Sequence, residues 1–385
     1  MASSLHLTRR HFVHGAATAV ALGFPMINRG YYRLGAAAAR TYSARAVDLV
    51  EESLVIDMLA PLKIDMRPEY SARPLSEEDA ADFRASGITG FHNAFGLGGP
   101  TARADALAFL AAWQGFAGRN PHVFSLVGRA EDLDRAKGEG KCAVIMGIQN
   151  SEHFATPDDV EFFYYLGQRC SQLTYNAQNL IGAGSTERVD GGVSDYGVAI
   201  IKAMNDVGML IDVSHCGDRT TLDGIELSPR PIAITHSNCR AIVDHPRTKT
   251  DEAIMALGAK GGVMGITGVR MFAHMVDHID HVVKLIGIDH VGIGSDADLD
   301  GYDDMPPDQY KMLKGSYKSS YAFRDKIDTD GFDHPRKMYD LTEELIRRGY
   351  SDANIQAVLG GNFRRLLGDT WKPIALPEKL SLGEN

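Results

Sequence analysis

Three apolar stretches constrain this chain more than any other feature, because each ends in or beside a side chain that can bind a metal ion. They are residues 210–215 (LIDVSH), 232–237 (IAITHS) and 291–296 (VGIGSD). Short apolar runs of this kind are typical of buried strands, and α/β barrels place their chemistry where such strands end. Two imidazoles and a carboxylate suit zinc or a similar divalent ion. The pattern therefore predicts that His215, His236 and Asp296 converge on one metal site.

Strand-like runs alternate with amphipathic segments from about residue 43 onward. The predicted strands are 53–59, 87–95, 142–149, 171–176, one that begins at Met209, one that ends at His236, 262–267 and one that ends at Asp296. Strands that alternate with helices indicate parallel βαβ units, and about eight of them close a TIM barrel. We therefore predict an α/β fold, a (β/α)8 TIM barrel in one domain over 43–385, with a long loop after strand eight and C-terminal helices.

Amphipathic spacing and capping residues predict the helices between these strands. They are 75–85 with Ser76 as N-cap, 102–116 with Thr101, 196–207 ending at Gly208, 251–260 with Thr250, 272–286, and the closing helices 336–348, 351–359 and 362–367. The stretch 301–335 is acidic and contains adjacent prolines, so we predict that it is the long loop. Loops on this face of a barrel often cover the site.

The first 42 residues are predicted to be an export signal and linker. Arg9 and Arg10 precede a modestly apolar run at 15–27, which resembles a twin-arginine signal. The run is shorter than the roughly 20 apolar residues that span a membrane. Small residues at 36–39 and 44–46 offer alternative cleavage sites. We therefore expect a periplasmic or otherwise exported protein without a transmembrane anchor.

Charge and cysteine content exclude other classes of function. The formal net charge of −10 disfavours nucleic acid as a partner. The four cysteines lack the spacing of a metal or redox motif, and we expect buried, unreactive thiols at Cys142, Cys170, Cys216 and Cys239.

Six motifs follow one another in an order that resembles a known family. They are 173–176 (LTYN), 212–215 (DVSH), 235–238 (THSN), 245–247 (HPR), 290–296 (HVGIGSD) and 361–365 (GNFRR). This order resembles the membrane (renal) dipeptidase family, a branch of the amidohydrolase-type barrel hydrolases. The resemblance implies a hydrolase of dipeptide-like substrates that holds two zinc ions, and it is compatible with a homodimer.

The resemblance also implies roles for individual side chains. His215 and His236 look like the two imidazole ligands of one metal ion. Asp296 looks like the carboxylate that serves the other ion and takes the proton from the catalytic water. Arg247 resembles the residue that receives the substrate's carboxylate, which a guanidinium binds bidentately.

Tyr175 and Asn176 occupy the positions of the family's His-Asn pair after strand four. We expect both side chains to bind substrate there. The Tyr175 hydroxyl is also predicted to hydrogen-bond the substrate or the oxyanion.

The chain departs from the family at the other metal position. The family's first strand ends Asp-x-His-x-Asp, whereas Leu59 and Pro61 stand here at the His and second Asp positions. Gln149 replaces the bridging glutamate, and an uncharged amide bridges two dications poorly. Three protein ligands and a water suffice for catalytic zinc. We therefore expect one zinc ion held by the two histidines with Gln149 and Asp296, with a metal-free protein as the alternative.

Other histidines receive a structural interpretation. The pair Glu152 and His153 is close enough to Gln149 to act as surrogate ligands, but we interpret it as a surface loop pair. His92 lies near the end of strand two and is interpreted as a structural residue. A further triplet has helical ligand-like spacing on a helix that lies outside the barrel: His274, His278 and His281.

These observations lead to one principal hypothesis and two alternatives. The principal hypothesis is an exported hydrolase of dipeptides or similar small amides that uses one metal ion. The first alternative is a lyase, isomerase or tautomerase acting on a peptide-derived metabolite. The second alternative is a binding homologue that has lost its metal.

Overall fold

The computed structural model describes residues 31–32, 41–60, 74–96, 98–269, 274–297, 299, 307–321, 323 and 334–372. Its strands are β1 (Tyr31–Tyr32), β2 (Tyr42–Ser43), β3 (Ile56–Asp57), β4 (Gly90–Phe95), β5 (Phe124–Leu126), β6 (Cys142–Ile148), β7 (Cys170–Gln172), β8 (Leu210–Asp212), β9 (Ala233–Ser237), β10 (Val263–Ile266) and β11 (Val291–Ile293). Most of the predicted export signal lies outside the described residues. About half of the predicted 301–335 loop is described, and there the prediction of a loop is wrong in part, because Pro307–Ser316 is helical.

Eight of these strands form a closed parallel barrel, which confirms the predicted (β/α)8 fold. Strands β6 to β11 pair in sequence order, β11 pairs with β3, and β3 pairs with β4. The barrel closes because β4 also pairs with β6 along its full length. Strand β5 pairs only with the first half of β6, and β1 and β2 form a separate antiparallel pair.

α-Helices surround the barrel and cover its two ends. Within the described residues they are Ala44–Glu52, Glu77–Ser86, Ala102–Arg119, Ala130–Gly138, Asp158–Tyr165, Asp195–Val207, Asp218–Leu227, Asp251–Ala259, Met275–Ile286, Pro307–Ser316, Lys337–Arg347, Asp352–Gln356 and Asn362–Thr370. None of the helices in this part of the chain is long and apolar enough to cross a membrane.

Most of the predicted helix ends are formed as expected. Ser76 and Thr250 each accept a hydrogen bond from a backbone N–H in the first turn, and Gly208 ends its helix in the left-handed region with φ 78°. Thr101 occupies the predicted N-cap position, but its hydroxyl donates to the Asp105 carboxylate and makes no capping hydrogen bond.

The C-terminal helix Asn362–Thr370 closes the N-terminal end of the barrel. Phe363 is fully buried among inward-facing side chains of the strands. A Cβ on Gly292 would lie 2.6 Å from its ring, so β11 requires glycine there. The Asn362 amide donates to two backbone carbonyls next to β11, each at 2.7 Å. The GNFRR motif therefore seals the barrel and lies at the end opposite the strand termini that carry the histidines.

Gly147 lies at one of the closest packing points of the barrel interior. A Cβ on this β6 glycine would lie 1.9 Å from Nε2 of His92, and the His92 ring is held by donation from Nδ1 to the carbonyl oxygen of Met58 at 2.8 Å. Neither atom has room to move aside.

Replacing Gly147 with alanine is therefore expected to lower the free energy of unfolding by about 1–3 kcal/mol through overpacking. Urea denaturation measures this change. The matched control is Gly118→Ala, a helical glycine whose Cβ would meet nothing within 4 Å and which should be neutral or slightly stabilising. Equal effects of the two substitutions would contradict the close packing.

Candidate active site

Two histidines meet at the C-terminal mouth of the barrel. The Nε2 atoms of His215 and His236 are 2.9 Å apart, and the ring centroids are 5.0 Å apart. Both side chains are almost inaccessible to solvent, with exposures of 3% and 0%. The structure therefore brings together the imidazole pair that the sequence predicted.

A β-bulge positions His236. Met264 of β10 pairs with Ile234 of β9, but Ile266 pairs with Ser237, so two residues of β9 lie opposite one residue of β10. A bulge re-aims side chains and is common beside functional sites. Here it allows two consecutive side chains, Thr235 and His236, to contact each other.

Glycines in the flanking strands make room for this bulge. A Cβ on Gly265 would lie 2.0 Å from the carbonyl oxygen of Thr235, and one on Gly294 would lie 1.9 Å from the same atom. Any side chain at either position would displace the backbone that carries His236.

One buried carboxylate connects the two histidine-bearing strand ends. Asp212 Oδ1 accepts from the backbone N–H of Ser214 at 2.9 Å, from its hydroxyl at 2.5 Å, and from the backbone N–H of Thr235 at 3.0 Å. Its Oδ2 accepts from the Thr235 hydroxyl at 2.7 Å. Asp212 therefore fixes the turn that leads to His215 and the bulge that leads to His236.

The hydrogen bonds behind the two rings leave both Nε2 atoms as acceptors. Nδ1 of His215 donates to Oδ1 of Asn176 at 2.7 Å, and Nδ1 of His236 donates to the Thr235 hydroxyl at 2.8 Å. Two nitrogen lone pairs that face each other at 2.9 Å repel unless a cation lies between them. Zinc–nitrogen bonds are about 2.0–2.1 Å, so one ion can reach both atoms. The pair therefore fits one divalent metal.

Burial and neighbouring cations keep both rings neutral. Desolvation lowers the pKa of His215 well below its usual value, and Arg247, His236 and Lys249 lower it further. Desolvation likewise lowers the pKa of His236, with Arg247 as the next contributor. A neutral imidazole is the form that binds a metal.

Arg247 lies beside the pair and is buried. Its Nη1 donates to the carbonyl oxygen of Ser214, and its Nη2 donates to that of His236 at 3.1 Å. Its Nε is buried and has no hydrogen-bond partner among the described residues. The guanidinium thus supports the backbone at both histidines, and its Nε–H stays unpaired within the described part of the chain.

Tyr175 covers His215. The two rings stack with centroids 4.2 Å apart and planes 25° from parallel. A Cβ on Gly96 would lie 2.6 Å from the tyrosine ring, so this glycine makes room for it. Desolvation raises the pKa of Tyr175, so its hydroxyl stays protonated and able to donate.

The described part of the segment after β11 reaches over the pair. The hydroxyl oxygens of Tyr317 and Tyr175 are 3.1 Å apart, and the Tyr317 ring lies 4.4 Å from that of Tyr321. Lys318 forms an ion pair with Glu187 at 2.6 Å, on the loop that follows β7. Sequence patterns predicted a covering loop here but did not identify these tyrosines.

Gln149 directly follows β6, and Asp296 lies three residues beyond the end of β11 at Ile293, so strand eight is shorter than predicted. The convergence of Gln149 and Asp296 with the histidines stays a prediction. Gln149 Nε2 donates to the carbonyl oxygen of Ala94 at 2.8 Å, so its Oε1 is the end of the amide left for a ligand. Asp296 adopts φ 55°, and its N–H donates to the carbonyl oxygen of Leu59 at 2.8 Å. Within the described residues, no three His, Cys, Asp or Glu side chains are arranged to hold a metal.

The position of the family's first metal lacks ligands here. Leu59 is buried and apolar, and Pro61 lies outside the described residues. Asp57 is buried beside it, and its Oδ1 accepts from the N–H groups of Ser295 and Leu59 at 2.7 and 3.2 Å. This carboxylate therefore joins β3 to β11, and the donor set does not fit two metal ions.

Three other histidines that the sequence analysis considered have structural partners. The interpretation of His153 as a surface residue is wrong, because it is buried and hydrogen-bonds the Asn150 carbonyl and the Gln168 side chain. His278 is buried against Cys239, and His281 bonds Asp251. All four cysteines are buried and free, as predicted: Cys142, Cys170, Cys216 and Cys239.

Comparison with known proteins decides the family. The model described as "Membrane dipeptidase (Peptidase family M19)" matches residues 43–313. This chain belongs to the membrane dipeptidase family. Among curated proteins it is similar to Dipeptidase verJ of Clonostachys rogersoniana, with 32% identity over 239 residues, which cover 59% of this chain and 55% of that protein.

A second similar family protein is Dipeptidase tcpJ of Claviceps purpurea, with 27% identity over 252 residues. That match covers 62% of this chain and 53% of the other protein. The chain thus spans about half the length of the curated membrane dipeptidase relatives that it matches.

Solved structures share the fold of this family member. An amidohydrolase from Pseudomonas aeruginosa matches with a TM-score of 0.74 and 28% identity, over 85% of this chain and 99% of that one. The probable dipeptidase PvdM from Pseudomonas aeruginosa matches with a TM-score of 0.71 and 22% identity, over 85% and 97% of the two chains. The latter likeness shows the fold alone.

Sequence analysis missed Thr235 and the role of Asp212 behind the histidines of this membrane dipeptidase family member. Two glycines could have indicated the bulge: Gly265 in β10 and Gly294 directly after β11. A glycine in a strand pattern often marks a bulge or a close backbone approach.

Acid is expected to destabilise the metal-free protein through the buried pair. In the unfolded chain the two histidines bind protons below about pH 6.5, whereas in the folded protein the pKa of each ring is lowered. The free energy of unfolding is therefore highest above that pH and falls as the pH drops below it. Each ring contributes a slope of up to about 1.4 kcal/mol per pH unit.

Urea denaturation of chelator-treated protein between pH 7 and 5 measures this slope. His215→Gln should make it shallower by as much as one proton's contribution, and the surface substitution His122→Gln should leave it unchanged. An unaltered slope in His215→Gln would contradict the proposed electrostatics.

Proposed function

We propose that this protein hydrolyses dipeptides or similar small amides with the help of one zinc ion. The observation that carries the proposal is the convergence of two acceptor nitrogens, Nε2 of His215 and His236, at 2.9 Å. They lie at the face of the barrel where this fold performs its chemistry. Membership of the membrane dipeptidase family supports amide hydrolysis as the reaction.

His215 and His236 would hold the ion, with Oε1 of Gln149 as the third protein ligand. A bound zinc ion would polarise the substrate carbonyl and lower the pKa of a water molecule towards about 7. The family's second ion is not expected, because the glutamate that would bridge it is an uncharged glutamine here and Leu59 offers no donor atom.

Asp296 would accept the proton of the attacking water and pass it to the leaving amine. Its backbone is in the left-handed region at φ 55°, which is uncommon for residues other than glycine and is concentrated at functional sites. The hydrogen bond from its N–H to Leu59 holds this conformation.

Tyr175 and Arg247 would orient the substrate together with Asn176. The Tyr175 hydroxyl is kept protonated by burial, so it can donate to the developing oxyanion. The free Nε donor of Arg247 would bind the substrate's carboxylate. Asn176 would act from the loop after β7, where it also orients His215.

Export by the twin-arginine route and a domain over 43–385 are part of the same proposal. The twin arginines at Arg9 and Arg10 and the short apolar run after them support export. A homodimer stays a prediction from the family resemblance.

Replacing His215 with alanine is expected to abolish both zinc content and amide hydrolysis, because one of two converging imidazoles is lost. Metal analysis of the protein should give one zinc per chain for the wild type and none for the variant. Amino acid release from a panel of dipeptides should fall at least 100-fold. The surface control His122→Ala should retain both properties.

Normal turnover in His215→Ala would remove the metal hydrolase proposal. Wild-type protein that carries no metal and releases no amino acids, but transforms a peptide-derived metabolite, would favour the lyase or isomerase alternative instead.

Arg247→Lys is expected to raise KM for dipeptides by about 10-fold or more, because a compact ammonium cannot reach both backbone carbonyl oxygens and also replace the Nε donor. Dipeptides with a free carboxylate and their C-terminal amides should be compared. The wild type should prefer the free carboxylate, and the variant should lose that preference. An unchanged preference would show that the carboxylate binds elsewhere.

A further inference from the structure

A hydroxyl lies between the buried carboxylate and the second histidine. Thr235 Oγ1 is 2.7 Å from Oδ2 of Asp212 and 2.8 Å from Nδ1 of His236. All three side chains are fully buried. The bulge in β9 makes this contact between neighbouring residues, whose side chains would point to opposite faces in a regular strand.

The chemistry of these atoms fixes the direction of the hydrogen bonds. A carboxylate oxygen can only accept, so the Thr235 hydroxyl donates its single proton to Asp212. The hydroxyl oxygen then offers only lone pairs to the ring. His236 must therefore carry its proton on Nδ1, which leaves Nε2 unprotonated and directed at His215.

We propose that Asp212 and Thr235 are positioning residues that hold His236 in the Nδ1–H tautomer and thereby keep its Nε2 available as a metal ligand. The inference rests on the proposed function insofar as it treats His236 as a ligand. Partners of this kind behind a metal-binding histidine commonly change metal affinity by 10–100-fold.

The structure predicts what an amide would do in place of this carboxylate. Two backbone N–H groups, from Ser214 and Thr235, point at Oδ1 of Asp212, so an asparagine there must keep its oxygen at that position. Its Nδ2 would then face the Thr235 hydroxyl and donate to it. The hydroxyl proton becomes free to point at Nδ1 of His236, and the ring proton moves to Nε2.

Three substitutions of similar side-chain shape test the hydrogen bonds that join Asp212, Thr235 and His236. Asp212→Asn keeps the hydrogen bonds at Oδ1 and reverses the direction at the hydroxyl. Thr235→Val keeps the volume and removes the hydroxyl, and Thr235→Ser keeps the hydroxyl and removes only a methyl group. Circular dichroism and thermal unfolding establish whether each variant folds. If Thr235→Val does not fold, the comparison of Asp212→Asn with the wild type alone tests the proposal.

The first measurement is the tautomer of His236 in metal-free full-length protein labelled with 15N-histidine. The chain has 14 histidines, and comparison with His236→Gln assigns the signal. The nitrogen shifts should report Nδ1–H in the wild type and in Thr235→Ser. They should report Nε2–H in Asp212→Asn and loss of the Nδ1–H preference in Thr235→Val.

The second measurement is zinc affinity by competition with a chromogenic chelator. Asp212→Asn and Thr235→Val should bind zinc about 10–100-fold more weakly than the wild type, and Thr235→Ser should bind it about as tightly.

An unchanged His236 tautomer in folded Asp212→Asn would overturn the proposal. The proposal would also be overturned if both Asp212→Asn and Thr235→Val bound zinc as tightly as the wild type. Neither measurement depends on hydrolysis. If the wild type is inactive but Asp212→Asn still shows the tautomer change, the proposed function is rejected and the positioning role of Asp212 and Thr235 is retained.

Discussion

The carboxylate of Asp212 is the interaction on which the site depends. It accepts four hydrogen bonds from only two residues, Ser214 and Thr235, and these residues immediately precede the two histidines. A closed barrel brings the ends of adjacent strands together but does not determine how their side chains point. The distance of 2.9 Å between the two Nε2 atoms follows from this shared anchor and from the bulge beside it.

Close backbone approaches surround the anchor and make its geometry rigid. Gly265 and Gly294 allow the carbonyl oxygen of Thr235 to lie where a side chain would otherwise be, and Gly96 allows the Tyr175 ring to lie over His215. Arg247 donates to carbonyl oxygens at both histidine positions. The pair is thus held by backbone contacts on several sides, which suits a site whose ligands must not move when a metal or substrate binds.

The departure from the family at the first strand has an electrostatic consequence. A two-metal centre needs several negative ligands to offset the charge of two dications, and this chain has Pro61 and Gln149 where the family has its second aspartate and its bridging glutamate. Asp57 remains, but its buried carboxylate bonds the backbone of Ser295 and Leu59, where it joins two strands. The loss of charge therefore supports the proposal of one ion at the histidine pair.

The sequence predicted the parts of this structure that depend on pattern. Alternating apolar and amphipathic segments predicted the barrel, and histidines at strand ends predicted the pair, because strand termini in a parallel barrel meet on one face. The bulge at Thr235, the hydrogen-bond directions behind His236 and the packing of Tyr317 depend on atomic distances between elements remote in sequence. Strand β5 is only three residues long and pairs with one neighbour, so it leaves almost no periodic signal.

Crystallographic anomalous scattering at the zinc absorption edge tests the central claim most directly, because it locates the ion without reference to activity. The account predicts a single peak for each chain, within bonding distance of Nε2 of both His215 and His236. Two peaks, a peak that contacts neither imidazole, or no peak in zinc-loaded crystals would contradict a one-metal centre built on this pair.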